Sequence, residues 1–330
     1  MSIMLPQHSL FKCGKCGEPA LVRVKYAKTN FCREHFLDYI ERRVEKTIER
    51  YRMLENAKKL LVGVSGGKDS LSLLYILSKL RSRYGVELIG FHLDLGIPGY
   101  SEESKKVVLE ACRENSVQCI VISLREATGY SLPELVEKVK RPPCSICGLL
   151  KRYFINNVAL ELGVDAVALG HHIDDILAFA VKDFLLQDLL DLSKMKPVSL
   201  GKEGFLVKKL KILYEVYESD LELYAQLMGI KVVGTQCPFK YNDPFLTSAR
   251  RMIEEIEEHA PGFKIMLARK LSVYADKLGV EGELTPCKYC GSASSSGVCG
   301  VCKVTMRISG HPMGFEIKGK IRSLIKSGGV

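Results

Sequence analysis

A glycine-rich turn with one lysine and one aspartate is the first stretch of this sequence that could do chemistry. Gly63-Val64-Ser65-Gly66-Gly67-Lys68-Asp69-Ser70 follows an apolar run at 60–62 and precedes apolar residues on a helical period. A strand, a glycine turn and a helix aim backbone N–H groups and a helix N-terminus at one point, where a phosphate can bind. The turn does not fit the Walker A pattern, because Lys68 comes one position too early.

Most of the twelve cysteines fall into C-x-x-C pairs, a spacing that favours metal ligands over disulfides in a chain without a secretion signal. Cys13, Cys16, Cys32 and His35 predict a structural zinc site of the treble-clef or ribbon type. Cys287, Cys290, Cys299 and Cys302 predict a second site, a zinc ribbon. Cys112 and Cys119 are interpreted as core residues.

Three other cysteines fit neither zinc site. Pro142 and Pro143 should break any helix, and a new helix should begin at Gly148, so Cys144 and Cys147 are expected on a loop at a helix N-terminus, where thiolates are favoured. The pair could be half of a zinc site, a redox dithiol or part of an iron–sulfur site. Cys237 follows a predicted strand at 230–233, and we expect that strand to bring it to the same edge of a β-sheet as Cys144 and Cys147.

The strands that must position these groups are predicted at 60–62, 86–93, 119–122 and 166–169, with helices of about 12 residues between them. This alternation predicts an α/β fold, a parallel sheet with helices on both faces. Ligands of such sheets bind at the carboxyl ends of the strands. The turns at Ser65, after Leu93 and at Gly170 should therefore meet there.

Positive charge is concentrated at the two ends of the chain. Residues 1–52 carry eleven Lys/Arg against six Asp/Glu, and residues 287–330 carry seven against one, within a net charge of +10. Basic ends around a near-neutral centre suit contact with a polyanion. A helix predicted at 36–54 has a basic face that is either solvated or grips RNA; it carries Arg42, Arg43, Lys46, Arg50 and Arg52.

Composition and length indicate a cytoplasmic globular protein, with 47% hydrophobic and 26% charged residues. The apolar runs are too short to span a membrane, and residues 1–10 lack the order of a signal peptide. Five segments are expected: an N-terminal zinc finger (1–36), a basic linker helix (37–57), an α/β domain that contains the glycine turn (58–245), a helical extension (246–284), and a zinc ribbon with a basic tail (285–330).

The order of these motifs resembles the tRNA 2-thiouridine synthetases of the TtuA type over essentially the whole chain. The resemblance rests on the Ser65–Ser70 loop, the segment that begins Arg141-Pro142-Pro143-Cys144, the Gly-His-x-x-Asp-Asp segment at 170–175, the lone Gln236-Cys237-Pro238 and the two metal fingers. These are PP-loop enzymes of the TtcA/TtuA/NcsA superfamily, which split ATP between its α and β phosphates and replace O2 of a tRNA uridine with sulfur.

The resemblance implies a 4Fe–4S cluster on Cys144, Cys147 and Cys237, with one iron open to sulfide. Lys151 and Asp175 fall on catalytic positions, and Asp69 is assigned with them; Asp69 or Asp175 would position Mg²⁺. The ATP positions that the resemblance implies are Gly63, Ser65, Gly67, Asp69, Ser70, Leu93 and Gly170, and we add Val64, Lys68, Lys151 and Asp175 to them. The resemblance also implies that 58–245 is the PP-loop ATP-binding catalytic domain and that 246–284 is a tRNA-binding extension. The implied partners are tRNA, a sulfur donor (a ubiquitin-like thiocarboxylate carrier or sulfide) and a second copy of the chain.

The sequence departs from the family pattern at His172, at Ile176 and over 238–243, which bears on how ATP and substrate are positioned. His171 and His172 could pack or cap a helix, and Asp174 could be a helix N-cap. Arg141-Pro142-Pro143 favours the branch acting on tRNA position 54, with position 34 as the alternative. A different adenylating ligase and a non-catalytic tRNA-binding protein are the other hypotheses.

Overall fold

The computed structural model describes residues 2–4, 11–278 and 283–326. Within these ranges the strands form three sheets. The strands are β1 (Ser2–Met4), β2 (Val22–Val24), β3 (Thr29–Phe31), β4 (Lys59–Gly63), β5 (Glu87–Asp94), β6 (Gln118–Ser123), β7 (Ala166–Ala168), β8 (Val198–Ser199), β9 (Lys208–Leu210), β10 (Thr285–Pro286) and β11 (Ala293–Ser294).

Helices separate most of these strands, and among those the structure describes none is long and apolar enough to cross a membrane. They are α1 (Arg33–Arg50), α2 (Lys68–Tyr84), α3 (Tyr100–Glu114), α4 (Leu124–Thr128), α5 (Leu132–Val139), α6 (Pro143–Glu161), α7 (Ile173–Leu185), α8 (Leu189–Ser193), α9 (Glu218–Met228), α10 (Pro244–His259), α11 (Phe263–Lys277), α12 (Gly300–Ser309) and α13 (Gly314–Lys326).

The central sheet has six strands in the order β6-β5-β4-β7-β9-β8, all parallel except β8. β4 is paired with β5 on one side and β7 on the other, in register from Leu60 to Val62. The chain therefore leaves β4 at the point where the strand order changes direction, and the crevice at the carboxyl ends of such strands is where α/β proteins bind ligands. The predicted α/β architecture is confirmed.

Alternate residues of β4 face opposite sides of the sheet, as the period of a strand requires. Leu60 and Val62 belong to one buried apolar cluster, together with residues of α1, α2, α7 and α9. Leu61 belongs to a second cluster, together with residues of α5, α6, α12 and α13. The N-terminal finger thus packs on one face of the sheet and the C-terminal finger on the other.

The sheet differs from the prediction in two places. β8 and β9 were not predicted, because β9 is a three-residue strand with two lysines and no apolar run. The strand predicted at 230–233 is wrong, because these residues form no strand. β9 already occupies the position beside β7. The segment instead contacts the glycine turn, where Val233 N donates to Gly66 O at 3.1 Å.

The helix predicted at 36–54 runs from Arg33 to Arg50 and is more deeply packed than its basic residues suggested. Arg43 donates from Nε to Glu215 O at 2.7 Å, and its guanidinium carbon lies 4.8 Å from the ring centre of Tyr26. Arg50 pairs with Glu215 at 3.3 Å. Arg43 therefore belongs to the protein interior and is not part of a basic outer face.

Candidate active site

The glycine turn joins β4 to α2 in a tight arrangement. Ser70 Oγ donates to Gly67 O at 3.0 Å and accepts from Ser65 N at 3.0 Å, so the loop folds back over the first turn of the helix. Gly66 has a φ of 84°, and a Cβ there would lie 2.6 Å from Val233 Cγ2. Gly67 is the N-cap of α2, where unpaired N–H groups and the helix dipole favour an anion.

A cleft of about 1300 Å³ opens beside this loop. It is lined by every residue assigned above to ATP except Lys68, namely Gly63, Val64, Ser65, Gly67, Asp69, Ser70, Leu93, Lys151, Gly170 and Asp175. Lys68 instead places its Nζ 2.9 Å from Glu218 Oε1 and 3.3 Å from Asp69 Oδ1. The carboxyl ends of β4, β5 and β7 therefore meet at one cavity, large enough for a nucleotide and part of a second substrate.

Two carboxylates of the cleft, Asp69 and Asp175, share one histidine. His172 Nε2 lies 3.4 Å from Asp175 Oδ2 and 4.0 Å from Asp69 Oδ2. Burial raises the pKa of the Asp69 carboxyl, although His172 and Lys68 act in the opposite direction. Oxygen ligands gathered in this way beside a phosphate-binding loop suit Mg²⁺. His172, the departure from the family pattern, touches both of them.

The same histidine begins α7. His172 is its N-cap and accepts from Asp175 N through Nδ1 at 3.4 Å, so the suggestion that Asp174 caps this helix is wrong. Asp174 instead accepts from Glu218 N at 2.7 Å and from Lys264 Nζ at 2.6 Å. Burial opposes its ionisation, but His172 and Lys264 hold the pKa of Asp174 well below its usual range.

Three charged residues of this network belong to no motif. Glu218 on α9 accepts from Lys68, Arg250 on α10 pairs with both Asp175 and Glu218, and Lys264 on α11 pairs with Asp174. They lie on helices that are distant in sequence from the motifs. Only their contacts with Asp174 and Asp175 in the folded protein distinguish them from other charged residues. The sequence contains no local signal that would have found Glu218 or Lys264.

The cysteine pair lies inside a helix, which corrects the loop predicted for it. α6 begins at Pro143, with Pro142 as its N-cap, because proline is tolerated where no N–H partner is needed. Cys144 and Cys147 therefore occupy the first turns of α6. Burial raises the pKa of the Cys147 thiol, so the helix N-terminus does not by itself favour its thiolate, although Lys151 acts in that direction.

Cys237 approaches the pair on an irregular segment. Cys144 Sγ donates to Phe239 O at 3.3 Å, which fastens the residues after Cys237 to α6. The charges of Cys237 and Cys144 both act to raise the pKa of the Cys147 thiol, so the three cysteines lie near one another. The ligands of a single metal ion lie within 4.8 Å of one another. Within the described ranges, the Sγ atoms of these three cysteines do not all meet that distance. Three thiols more widely spaced fit an iron–sulfur cluster better than a zinc ion.

Lys151 connects this trio with the cleft. It follows Cys147 by four residues, one helical turn, and therefore lies on the same side of α6. The charge of Lys151 acts to lower the pKa of the Cys147 thiol, and Lys151 lines the nucleotide cleft. The glycine loop and the two carboxylates line the same cleft, and Lys151 is the residue that brings the cysteine pair close to them.

Both four-residue metal groups predicted from the sequence are assembled, with all ligand atoms of each group within 4.8 Å of one another. In the N-terminal group Cys32 Sγ lies 3.2 Å from His35 Nδ1. In the C-terminal group Cys290 Sγ lies 3.6 Å from Cys299 Sγ, and a Cβ on Gly314 would lie 2.5 Å from Cys302 Sγ. Tetrahedral sets of thiol and imidazole donors fit a structural zinc ion.

The C-terminal group also forms part of the cleft wall. Ser292, Ala293, Cys299, Gly300 and Val301 all line the cleft. Ser292 Oγ donates to Asn157 Oδ1 at 3.0 Å, which holds the finger against α6. The finger therefore helps to shape the site.

The pattern of the PP-loop domain family matches residues 37–236, and that of the "2-thiouridine synthetase TtuA, N-terminal LIM domain" matches residues 12–37. A tRNA-5-methyluridine(54) 2-sulfurtransferase of Pyrococcus horikoshii is 37% identical over 88% of this chain and 93% of its own. The enzyme of that name from Thermus thermophilus is 36% identical over 88% of this chain and 90% of its own.

A solved structure has the same fold over nearly the whole chain. It is the U34-tRNA thiolase NcsA from Methanococcus maripaludis with its [4Fe-4S] cluster, with a TM-score of 0.75 and 29% identity, and the match covers 91% of this chain and 96% of that one. The chain belongs to the PP-loop family, in the group of 2-thiouridine synthetases that carry an N-terminal LIM domain.

Proposed function

We propose that this protein is an ATP-dependent tRNA uridine 2-sulfurtransferase that acts at position 54. The observation that carries the proposal is the position of Lys151, which lines the nucleotide cleft and acts on the Cys147 thiol, while Cys144 and Cys237 act on the same thiol. An enzyme that only adenylates a carbonyl needs no convergent thiols. The relatives that are 37% and 36% identical are named for position 54.

In the first step, O2 of the uridine attacks the α-phosphate of ATP, which forms an O-adenylated uridine and releases pyrophosphate. The N–H groups of the loop from Ser65 to Ser70 hold the leaving pyrophosphate, and Lys68 and Lys151 offset its growing charge. Lys68 must exchange Glu218 for phosphate to do so. Asp69 and Asp175 would hold Mg²⁺, which neutralises phosphate charge when bound.

In the second step, sulfide sulfur attacks C2, and the original O2 leaves with AMP. Cys144, Cys147 and Cys237 would hold a 4Fe–4S cluster, and the iron that no cysteine ligates would offer a binding position for the sulfide. Lys151, which lines the cleft one helical turn after Cys147, orients the reacting groups. The sulfur donor is a ubiquitin-like thiocarboxylate carrier or free sulfide.

In this proposal the remaining parts of the chain contact tRNA or stabilise the fold. Zn²⁺ ions occupy the two four-residue metal groups, and the helical extension at 246–284 and the basic tail contact tRNA. A reducing cytoplasm keeps the cysteines available as ligands. The active protein is a homodimer.

Mass spectrometry of tRNA nucleosides from a deletion strain tests the reaction and its position. We expect loss of the 2-thio group at position 54 and its return with the wild-type gene, but not with Cys237→Ala. Retained sulfur at position 54 contradicts the proposal, and loss at position 34 favours the alternative for which the NcsA structure is named. A colourless, fully active protein after anaerobic reconstitution contradicts the cluster.

A further inference from the structure

The half of the cleft away from the glycine loop is basic and is not used by the ATP site. It lies between the corner of α7 and α8 and the strands β8 and β9. Seven cations line it: Arg152, Lys182, Lys194, Lys196, Lys202, Lys209 and Lys211. Three carboxylates line it as well: Asp183, Asp188 and Asp191. The excess of cations over carboxylates in this half of the cleft favours an anion.

In the ranges that the structure describes, four of these cations form no ion pair: Arg152, Lys202, Lys209 and Lys211. Lys211 donates instead to two backbone oxygens, Lys194 O and Lys196 O. Burial together with the positive charge of Arg152 and Lys194 lowers the pKa of Lys209. Two of the carboxylates are engaged: Asp191 pairs with Lys194 at 2.5 Å, and Asp188 caps α8. Burial raises the pKa of Asp183 to about 6.

An apolar lip stands beside these cations. We use this name for Phe179, Leu186, Leu190 and Leu200, which line the same half of the cleft. Phe179 is 39% exposed, Leu186 62% and Leu200 70%. An exposed apolar group of this kind next to unpaired cations matches the way proteins bind an unstacked nucleotide, with the base on an aromatic or apolar face and the phosphate on Lys or Arg.

We propose that this half of the cleft binds the target nucleotide of the RNA. Its base packs against Phe179 and the rest of the apolar lip, and its phosphates contact Lys209 and Arg152. The inference rests on the proposed function and adds where the RNA enters. His171 also lines the cleft, close enough to Asp175, Lys211 and Arg152 for their charges to act on it. A base on the lip would therefore lie in the same cleft as Asp175 and the glycine loop.

The position suits a single nucleotide and not a duplex. Lys209 is only partly exposed and lies on β9, beside Val167 of β7, inside the cleft. A base-paired helix presents its bases stacked and out of reach of such a cavity, whereas a nucleotide flipped out of a loop fits it. The competing occupant of the apolar lip is a second copy of this chain, and the test below separates the two.

The test compares Lys209→Met and Phe179→Leu with Lys106→Met, which removes an exposed lysine on α3 that does not line the cleft. An unmodified tRNA transcript is titrated at several salt concentrations. We expect Lys209→Met to weaken binding roughly tenfold and to reduce the salt slope by about one. Phe179→Leu should weaken binding roughly fivefold without changing the slope. Lys106→Met and ATP affinity should be unchanged.

Equal tRNA binding by all three variants would overturn the proposal. So would a Leu186→Ser variant that sediments as a monomer from a dimeric wild type but binds tRNA normally, because the lip would then serve dimerisation. Wild-type thiolation of the transcript is measured in parallel. If the wild type thiolates the transcript while the variants bind it normally, only the proposed nucleotide-binding site is contradicted. If the wild type does not thiolate the transcript, the proposed function is contradicted.

Discussion

Two adjacent aspartates show how burial separates roles at the scale of single residues. Asp175 lines the cleft and pairs with Arg250. Asp174 faces the interior, where the side chain of Lys264 is only 3% exposed and also pairs with Glu254. A buried ion pair adds little over an apolar pair, but loss of one partner leaves an uncompensated charge. Asp174 is therefore expected to support α7, and Asp175 to take part in chemistry.

Lys264→Met should reduce the free energy of unfolding at pH 7 by about 3 kcal/mol, because it strands a buried carboxylate. Urea unfolding measures this. Asp174→Asn combined with Lys264→Met should recover part of the loss. The pairing is contradicted if Asp174→Asn lowers the free energy of unfolding by the same amount in the Lys264→Met background as in the wild type.

Stability should also fall with pH in the wild type. The pKa of Asp174 is depressed in the folded protein, so its contribution is fully present above the unfolded pKa of about 4 and is lost as pH falls below it. Lys264→Met should flatten this loss, because the depression of the pKa depends in part on Lys264. Unfolding free energies at pH 3, 4 and 7 measure the difference; parallel pH profiles contradict it.

At the scale of elements, the segment that carries Cys237 is fastened to the glycine loop. Val233 N donates to Gly66 O at 3.1 Å, and Glu103 on α3 accepts from Gly234 N at 2.8 Å and from Thr235 N at 3.2 Å. The segment needs no strand of its own, because these contacts hold it. A change in the phosphate-binding loop should therefore be felt by the cysteine trio.

Gly66→Ala should weaken ATP binding more than tenfold and also alter the visible absorption of the reconstituted cluster. The residue has a positive φ, and the added Cβ would contact Val233 Cγ2 at 2.6 Å. Gly163→Ala is the matched control, since Gly163 has a φ of 60° and open space around it. Val233→Ala in the Gly66→Ala background should restore part of both signals. Equal effects of the two glycine variants contradict a role for the contact.

Sequence reasoning found the parts of the site that lie within short segments. The glycine loop, the cysteine pair and both metal groups have fixed spacings, so their residue types alone predict them. The predictions failed where pairing between distant segments determines the structure. β9 has too few apolar residues to be recognised, and β9, not the apolar stretch at 230–233, forms the strand beside β7. Glu218 and Lys264 gain meaning only when α9 and α11 pack against α7.

At the scale of the whole molecule, the two fingers lie on opposite faces of the central sheet and are not equivalent. The N-terminal finger buries Val22, Val24 and Phe31 in the cluster that contains Leu60. The C-terminal finger packs on the other face and lines the cleft with Cys299 and Val301. Damage to the two metal groups should therefore have different consequences.

Cys299→Ser should lower zinc content and weaken ATP binding, because Cys299 and its neighbours form the cleft wall. Cys16→Ser, at an exposed ligand of the other group, should lower zinc content and thermal stability but leave ATP affinity close to that of the wild type. Zinc analysis and calorimetric titration with ATP measure both. Equal loss of ATP affinity in the two variants contradicts this division.

The participation of the C-terminal finger in the cleft has a consequence for biosynthesis. The glycine loop and the wall at 292–301 are more than two hundred residues apart in the chain. A ribosome adds about 5 to 20 residues per second, so a nascent chain carries the phosphate-binding turn for on the order of ten seconds or more before this wall is made. A truncated translation product that ends before 292 would lack the wall, and we expect it to bind ATP more weakly than the full chain.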